Sequence, residues 1–139
     1  MTIDLAESDE KVLACFAVMR HLRDLDDATA FLHRVRSQQL SGYRLAAVWH
    51  GGEPVAVAGF RLGENLAWGR HLYVDDLVTL PEGRSRGYGA ALLTWLAEFG
   101  RTRGAGQLHL DSGRQRADAH RFYEREGLEA VGVHFKRSL

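Results

Sequence analysis

The sequence predicts an α/β fold in which helices cover a mixed β-sheet. The hydrophobic pattern begins with three- and four-residue spacing, changes to β-type runs from Tyr43, and becomes helical again after Gly87. The order helix–strand–helix–strand then follows, and a crossover helix between neighbouring strands implies one parallel pair. Without repeats or linkers, we expect a single domain over residues 1–139.

Two amphipathic helices are expected before the sheet. Ser8 or Asp9 can cap the first, and the apolar residues of its buried face recur at helical spacing. These residues are Val12, Cys15, Phe16, Met19 and Leu22. The segment "RDLDD" interrupts the pattern, and Asp26 or Asp27 can then cap a second helix. The apolar face of that helix comprises Ala28, Phe31, Leu32 and Val35.

An antiparallel meander is expected next. The runs 43–50 and 53–62 are typical of β-strands, and Gly51-Gly52 between them predicts a hairpin because both glycines accept positive φ. A turn at "GENL" leads into a third strand from about Trp68 to Leu80, which Pro81 ends.

The last third alternates helices and strands. A helical stripe of Tyr88, Leu92, Trp95, Leu96 and Phe99 starts at a glycine-containing loop. "AGQLHLD" predicts a short strand, and "RADAHRFYERE" a helix ended by Gly127. The final segment, "LEAVGVHFKRSL", is predicted to return to strand.

The composition argues against several kinds of partner and site. With 18 basic and 18 acidic residues the formal net charge is zero, so we expect neither a nucleic-acid nor a membrane partner. The lone cysteine, Cys15, excludes an intrachain disulfide and is expected in the core. The histidines lack zinc-type spacing, so no metal is expected. "MTIDLAESDEK" lacks the features of a signal peptide, and a cytoplasmic location is expected.

The loop "RSRGYG", Arg84 to Gly89, has the chemistry of a phosphate-binding loop. A loop that opens into a helix presents unpaired N–H groups at the positive end of the helix dipole, and glycine lets an anion approach closely. The sequence contains no Walker loop, and Leu92 stands where a dinucleotide fingerprint needs a third glycine. A turn that merely starts a helix would explain the same glycines.

With its flanking residues, this loop resembles the GNAT superfamily of acyl-CoA-dependent N-acetyltransferases. "RSRGYG" fits the family's Arg/Gln-x-x-Gly-x-Gly/Ala pattern after a strand that ends "LVTLP". "AHRFYEREGL" resembles the family's downstream Ala-x-x-Phe-Tyr helix, and the order of elements agrees over nearly the whole chain. One departure is Arg116, which stands where many members carry asparagine.

The resemblance implies that acetyl-CoA is the co-substrate and that a small-molecule or peptide amine accepts the acetyl group. It places the diphosphate on the loop and the first turn of the helix, and the pantetheine arm on the backbone of the preceding strand. The implied loop residues are Arg84, Ser85, Arg86, Gly87, Tyr88, Gly89 and Ala90. The implied strand residues are Leu77, Val78 and Thr79, and the Leu77 amide aligns with the donor that binds the thioester carbonyl.

Proton transfer is assigned to the acids of "YVDDLV" and to Tyr123. Asp75 matches the position where several family members keep a base and is favoured over Asp76, with bulk water as the remaining alternative. Strand alternation is expected to send the two acids to opposite faces. Tyr123 matches the tyrosine that protonates the coenzyme A thiolate in many members, although a core role beside Phe122 would also explain it.

The acceptor itself is left open by the sequence. Asp24, Asp26 and Asp27 could form with Asp75 a negative mouth that attracts a cationic amine, or one of them could simply cap a helix. We expect direct transfer of acetyl to a primary amine, and the resemblance also allows a homodimer. The alternative is a non-catalytic acyl-CoA-binding module that senses the cofactor. A toxin that acetylates aminoacyl-tRNA is disfavoured by the balanced charge.

Overall fold

The computed structural model describes all residues 1–139 and contains five strands and four α-helices. In chain order they are β1 (Thr2–Leu5), α1 (Asp9–Met19), α2 (Ala28–Gln39), β2 (Tyr43–His50), β3 (Glu53–Asn65), β4 (Gly69–Thr79), α3 (Tyr88–Thr102), β5 (Gln107–Leu110) and α4 (Ala117–Arg125). None of the helices has the length and apolar content needed to cross a bilayer.

The chain divides into two units, Met1–His109 and Leu110–Leu139. The first contains the first three helices and nearly all of the sheet, and the second contains α4 and the segment that follows it. The expected single domain over residues 1–139 stays a prediction.

The sheet has the order β1-β2-β3-β4-β5. The first four strands pair antiparallel in sequence, and β5 follows the crossover helix α3 to complete a mixed sheet. The predicted fold class and meander are therefore confirmed. Strand β1 was not predicted, because four residues at the edge of a sheet carry too short a pattern.

The two faces of the sheet bury different helices. On one face Tyr43, Leu45 and Val57 belong to a core cluster with side chains of α1 and α2, among them the fully buried Cys15. On the other face α3 covers the sheet, with the Phe60 and Phe99 rings edge to face at 5.3 Å.

The local signals for helix ends and turns are confirmed. The Ser8 hydroxyl accepts a bond from the Lys11 amide at the start of α1, and the Asp27 carboxylate accepts one from the Ala30 amide at the start of α2. Gly51 and Gly52 have φ values of 61° and 82°, as the predicted hairpin requires. After the end of α4, Gly127 adopts a φ of 90° and the Leu128 amide donates to the Tyr123 carbonyl, as expected for a glycine that ends a helix.

The structure differs from the prediction after Gly127, where residues 128–139 form no strand. Val131, Val133 and Phe135 alternate as a strand would require, but their side chains are exposed by 74%, 55% and 88%. The alternation of apolar residues indicates which side chains would share a face of a strand. A strand also needs a neighbouring strand to supply its backbone hydrogen bonds. The sequence carries no information about that partner.

A β-bulge interrupts the pairing of β3 with β4. Gly59 lies opposite Asp76 and Phe60 lies opposite Val74, so Asp75 is an additional residue without a partner on β3. Gly59 has no room for a side chain, because a Cβ atom there would lie 1.8 Å from the Tyr43 hydroxyl oxygen and 2.6 Å from a carboxylate oxygen of Asp76.

We expect Gly59→Ala to lower the free energy of unfolding by about 1–3 kcal/mol, because the added methyl group must displace a buried tyrosine. Gly63→Ala, on the same strand, is the matched control, since its Cβ would lie 3.4 Å from the His71 ring, close to ordinary contact. Urea unfolding followed by circular dichroism measures both. Equal stability of the two variants would contradict the described packing around Gly59.

Candidate functional site

The loop before α3 presents a series of unpaired backbone amides. The first backbone hydrogen bond of α3 runs from the Ala91 amide to the Gly87 carbonyl, so the amides of residues 88–90 lack helical acceptors. Ser85 and Gly87 adopt positive φ, 65° and 81°, which turns the loop sharply into the helix. Arg84 and Arg86 are exposed. These features together can bind an anionic group such as a phosphate.

The last residues of β4 present main-chain groups away from β3. The Leu80 amide donates to the Val55 carbonyl at 2.9 Å, so residue 80 is in a hydrogen-bonded pair with β3. Bonded and non-bonded pairs alternate in antiparallel sheets. The N–H and C=O groups of Leu77 and Thr79 therefore point to the opposite edge, and those of Val78 face β3.

Strand β5 accompanies only the first part of β4. The Gly106 amide bonds the Arg70 carbonyl where the two strands begin, and β5 has four residues. Strand β4 continues to Thr79, which is nine residues beyond Arg70. An extended chain that bonds to Leu77 and Thr79 would thus add to an edge of β4 beyond the reach of β5.

Asp75 and Asp76 lie on the same face of the sheet, so the prediction of opposite faces is wrong. Arg61 and Tyr43 are register partners on β3 and β2 and share the face that α1 and α2 cover. Asp75 bonds the guanidinium of Arg61 and Asp76 bonds the hydroxyl of Tyr43, each at 2.8 Å. The bulge causes the difference, because an inserted residue interrupts strand alternation.

The two carboxylates differ in how fully they are engaged. Both oxygens of Asp76 accept hydrogen bonds, Oδ1 from Arg23 Nε at 2.7 Å and Oδ2 from Tyr43, and its side chain is 12% exposed. Asp75 uses Oδ2 for Arg61 and is 26% exposed, with no hydrogen-bond donor on Oδ1. Asp75 therefore has a free oxygen for a further donor.

Sequence reasoning missed Arg23, Tyr43 and Arg61. An arginine within the otherwise apolar β3 run was a local signal for Arg61, since a partly buried charge favours a partner of opposite sign. Nothing in the sequence around Arg23 or Tyr43 indicates contact with a strand more than 30 residues away.

The loop between α1 and α2 lines a cleft of about 500 Å³. Its lining residues are Phe16, Arg20, His21, Leu22, Arg23, Asp24, Leu25 and Asp26. Of the acids expected to form a negative mouth, Asp27 caps α2 and Asp75 is paired with Arg61. Asp24 and Asp26 remain in the lining beside Arg20 and Arg23, so the cleft carries charges of both signs.

Tyr123 lies on α4 in the second unit and is half-buried. Burial raises the pKa of its phenol, and the positive charge of Arg116 partly offsets that effect. The phenol therefore stays protonated throughout the neutral range. His120, on the same helix, has its ring Nε2 2.8 Å from the Gly113 carbonyl oxygen, which gives it a structural role.

Cys15 is buried and no metal-binding cluster is present. Burial raises the pKa of the Cys15 thiol to about 12, which keeps it neutral and unreactive. No group of three or more histidine, cysteine, aspartate or glutamate side chains is arranged to hold a metal ion.

Known proteins resemble this chain in sequence. The family model described as "Acetyltransferase (GNAT) family" matches residues 5–128. An uncharacterised N-acetyltransferase of Bacillus subtilis, YhdJ, is 36% identical over 117 residues, which cover 84% of this chain and 82% of the relative. An aminoalkylphosphonate N-acetyltransferase of Salmonella typhimurium is 35% identical over 70% of this chain and 62% of its own.

Among solved structures, an aminoglycoside N-acetyltransferase in complex with coenzyme A superposes with a TM-score of 0.80. The match covers 99% of each chain at 15% sequence identity and supports the fold alone. The family model and the Bacillus subtilis relative each cover most of the sequence. This chain is therefore an acyl-CoA N-acetyltransferase and belongs to the GNAT family.

Proposed function

We propose that this protein transfers an acetyl group from acetyl-CoA directly to a primary amine. The observation that carries the proposal is the pair of outward-facing main-chain positions, Leu77 and Thr79, followed along the chain by the unpaired amides of the loop before α3. A strand edge suits the amide-containing pantetheine arm, and the loop suits a diphosphate.

Coenzyme A fits the residues present. The amides of about Ser85 to Ala90 would bind its diphosphate, with Arg84 and Arg86 adding positive charge. Bound acetyl-CoA supplies the acetyl group as an activated thioester. The Leu77 amide would donate to the thioester carbonyl oxygen, and such a donor typically contributes about 3 kcal/mol to lowering the barrier.

Direct transfer is supported by the state of the lone cysteine. An acyl-enzyme would need a nucleophile that can reach the thioester, and the thiol of Cys15 is both fully buried and protonated. We therefore propose that the amine itself attacks the thioester.

Asp75 is the proposed base. An amine with a pKa of about 10 is protonated at pH 7 and must lose a proton before it attacks. Asp75 retains a free oxygen, whereas Asp76 has both of its oxygens engaged by Arg23 and Tyr43. Tyr123 is the proposed acid for the departing thiolate, because burial favours its neutral, proton-donating form.

The proposed acceptor is an amine that binds in the cleft beside the α1–α2 loop. The Salmonella relative acts, by its name, on aminoalkylphosphonates. The cleft of this chain carries Arg20 together with Asp24 and Asp26, so amines with and without an anionic group belong in the first screen.

Coenzyme A binding is the first test. We expect calorimetry to detect binding, and the double variant Arg84→Gln/Arg86→Gln to weaken it about tenfold, as the loss of two partly exposed charge contacts to phosphate implies. Arg101→Gln, at the other end of α3, is the matched control and should leave the affinity unchanged. Absence of heat with the unaltered protein would refute the proposal.

Turnover is the second test, with thiol release from acetyl-CoA measured against spermidine, glucosamine, lysine, 2-aminoethylphosphonate and a lysine peptide. We expect Asp75→Asn to slow release about 100-fold at pH 7, and the deficit to shrink towards pH 10 as the free amine becomes abundant. Glu64→Gln, on β3, is the control and should match the unaltered enzyme. Coenzyme A binding without thiol release from any amine would favour the sensing module instead.

Tyr123→Phe tests the acid. We expect a loss of about 10²-fold or more in kcat, since an unassisted thiolate is a poorer leaving group. Because burial raises the pKa of Tyr123, the unaltered enzyme should keep its activity up to at least about pH 10, the ordinary pKa of tyrosine. A pH–rate profile from pH 6 to 10.5 measures this, and an unchanged kcat in Tyr123→Phe would exclude the role.

A further inference from the structure

The network around Asp76 joins three segments that are distant in sequence. Its carboxylate accepts hydrogen bonds from Arg23, in the loop after α1, and from Tyr43, at the start of β2. Asp76 itself lies on β4, immediately before Leu77. One largely buried side chain therefore links the loop that lines the cleft to the strand that presents the outward amide.

The Tyr43 side of this network is buried. Tyr43 is 4% exposed, and both its burial and the charge of Asp76 raise the pKa of its phenol, so the hydroxyl remains a donor. The hydroxyl reaches Asp76 across Gly59, where any Cβ atom would collide with it. The bare glycine thus makes this hydrogen bond possible.

The Arg23 side connects to both the side chain and the main chain of β4. Arg23 Nε donates to Asp76 Oδ1 at 2.7 Å, and its Nη2 donates to the Asp75 carbonyl oxygen at 2.8 Å. A planar guanidinium holds two acceptors in a fixed relation, which a lysine ammonium cannot do. The contacts span the residues at and beside the bulge.

We infer that Arg23 and Asp76 are positioning residues, which hold the loop between α1 and α2 at a fixed position relative to the Leu77 amide. The inference rests on the proposed function, because it assigns the cleft to the amine and the Leu77 amide to the thioester carbonyl. Rate depends steeply on how closely two reactants are aligned, so a loop fixed to the carbonyl-binding strand would align the amine for attack. Neither residue needs to touch a reacting atom for this role.

Arg23→Gln is the main test, with two readouts. Hydrogen–deuterium exchange by mass spectrometry should show peptides covering residues 20–27 exchanging about tenfold faster or more, because the loop loses its attachment to β4. With the best amine of the panel above, kcat/KM for the amine should fall about tenfold, and KM for acetyl-CoA should stay within about twofold, since the loop at residues 84–90 is untouched.

Two further variants make the test specific. Arg23→Lys keeps the charge but can satisfy one acceptor at a time, so it should recover part of the lost kcat/KM for the amine. Arg34→Gln removes an exposed arginine of α2 that makes no ion pair, and should behave as the unaltered protein in both readouts.

The outcomes separate this inference from the proposed function. If the loop exchanges equally fast in Arg23→Gln and the unaltered protein, the attachment does not hold the loop and the inference is wrong, whatever the activity. If exchange rises while kcat/KM for the amine stays unchanged, the contact only stabilises the fold, and the positioning role is overturned. If the unaltered protein releases no thiol with any amine, the proposed function is overturned, and the catalytic purpose of the contact with it. The exchange data then still report whether Arg23 attaches the loop to β4.

Discussion

The additional residue in β4 is the constraint on which the arrangement of the site depends. Without Asp75 as an unpaired insertion, the two acids would alternate across the sheet, and one of them would face α3. The bulge instead brings both to the face of α1 and α2, where Arg61, Arg23 and Tyr43 can bond them. Regular pairing of β4 with β3 resumes at Asp76. The alternation of bonded and non-bonded pairs then turns the main-chain groups of Leu77 and Thr79 away from β3.

This arrangement gives the two neighbouring acids different surroundings. Asp76 accepts a hydrogen bond at each of its two oxygens, whereas Asp75 keeps one oxygen without a donor. The difference comes from their surroundings, since the residue type is the same. The packing of Tyr43 over Gly59 leaves the Asp76 carboxylate only 12% exposed, whereas that of Asp75 is 26% exposed and more accessible to an incoming group.

The features that could be predicted from the sequence are those encoded within a few residues. Ser8, Asp27 and the Gly51-Gly52 pair act through hydrogen bonds or dihedral angles of their immediate neighbours, and the structure has each where it was expected. The bulge is a different kind of feature, because it depends on how β3 and β4 align over their whole length. The contact from Arg23 to Asp76 spans 53 residues, and no local pattern specifies it. In the segment after Gly127 a local pattern is present but the predicted structure is not. Its apolar residues alternate as in a strand, yet the segment forms no strand because it has no neighbouring strand to pair with.

The buried position of Cys15 has a practical consequence for work on this enzyme. The chain has no other sulfhydryl, and this one is shielded by α1 and the sheet and held neutral at physiological pH. Air oxidation should therefore not join two copies of the protein through a disulfide, and maleimide dyes should not react with the folded protein. A cysteine introduced at any exposed position would then be the unique attachment point for a fluorophore or spin label, with no need to remove the natural one first.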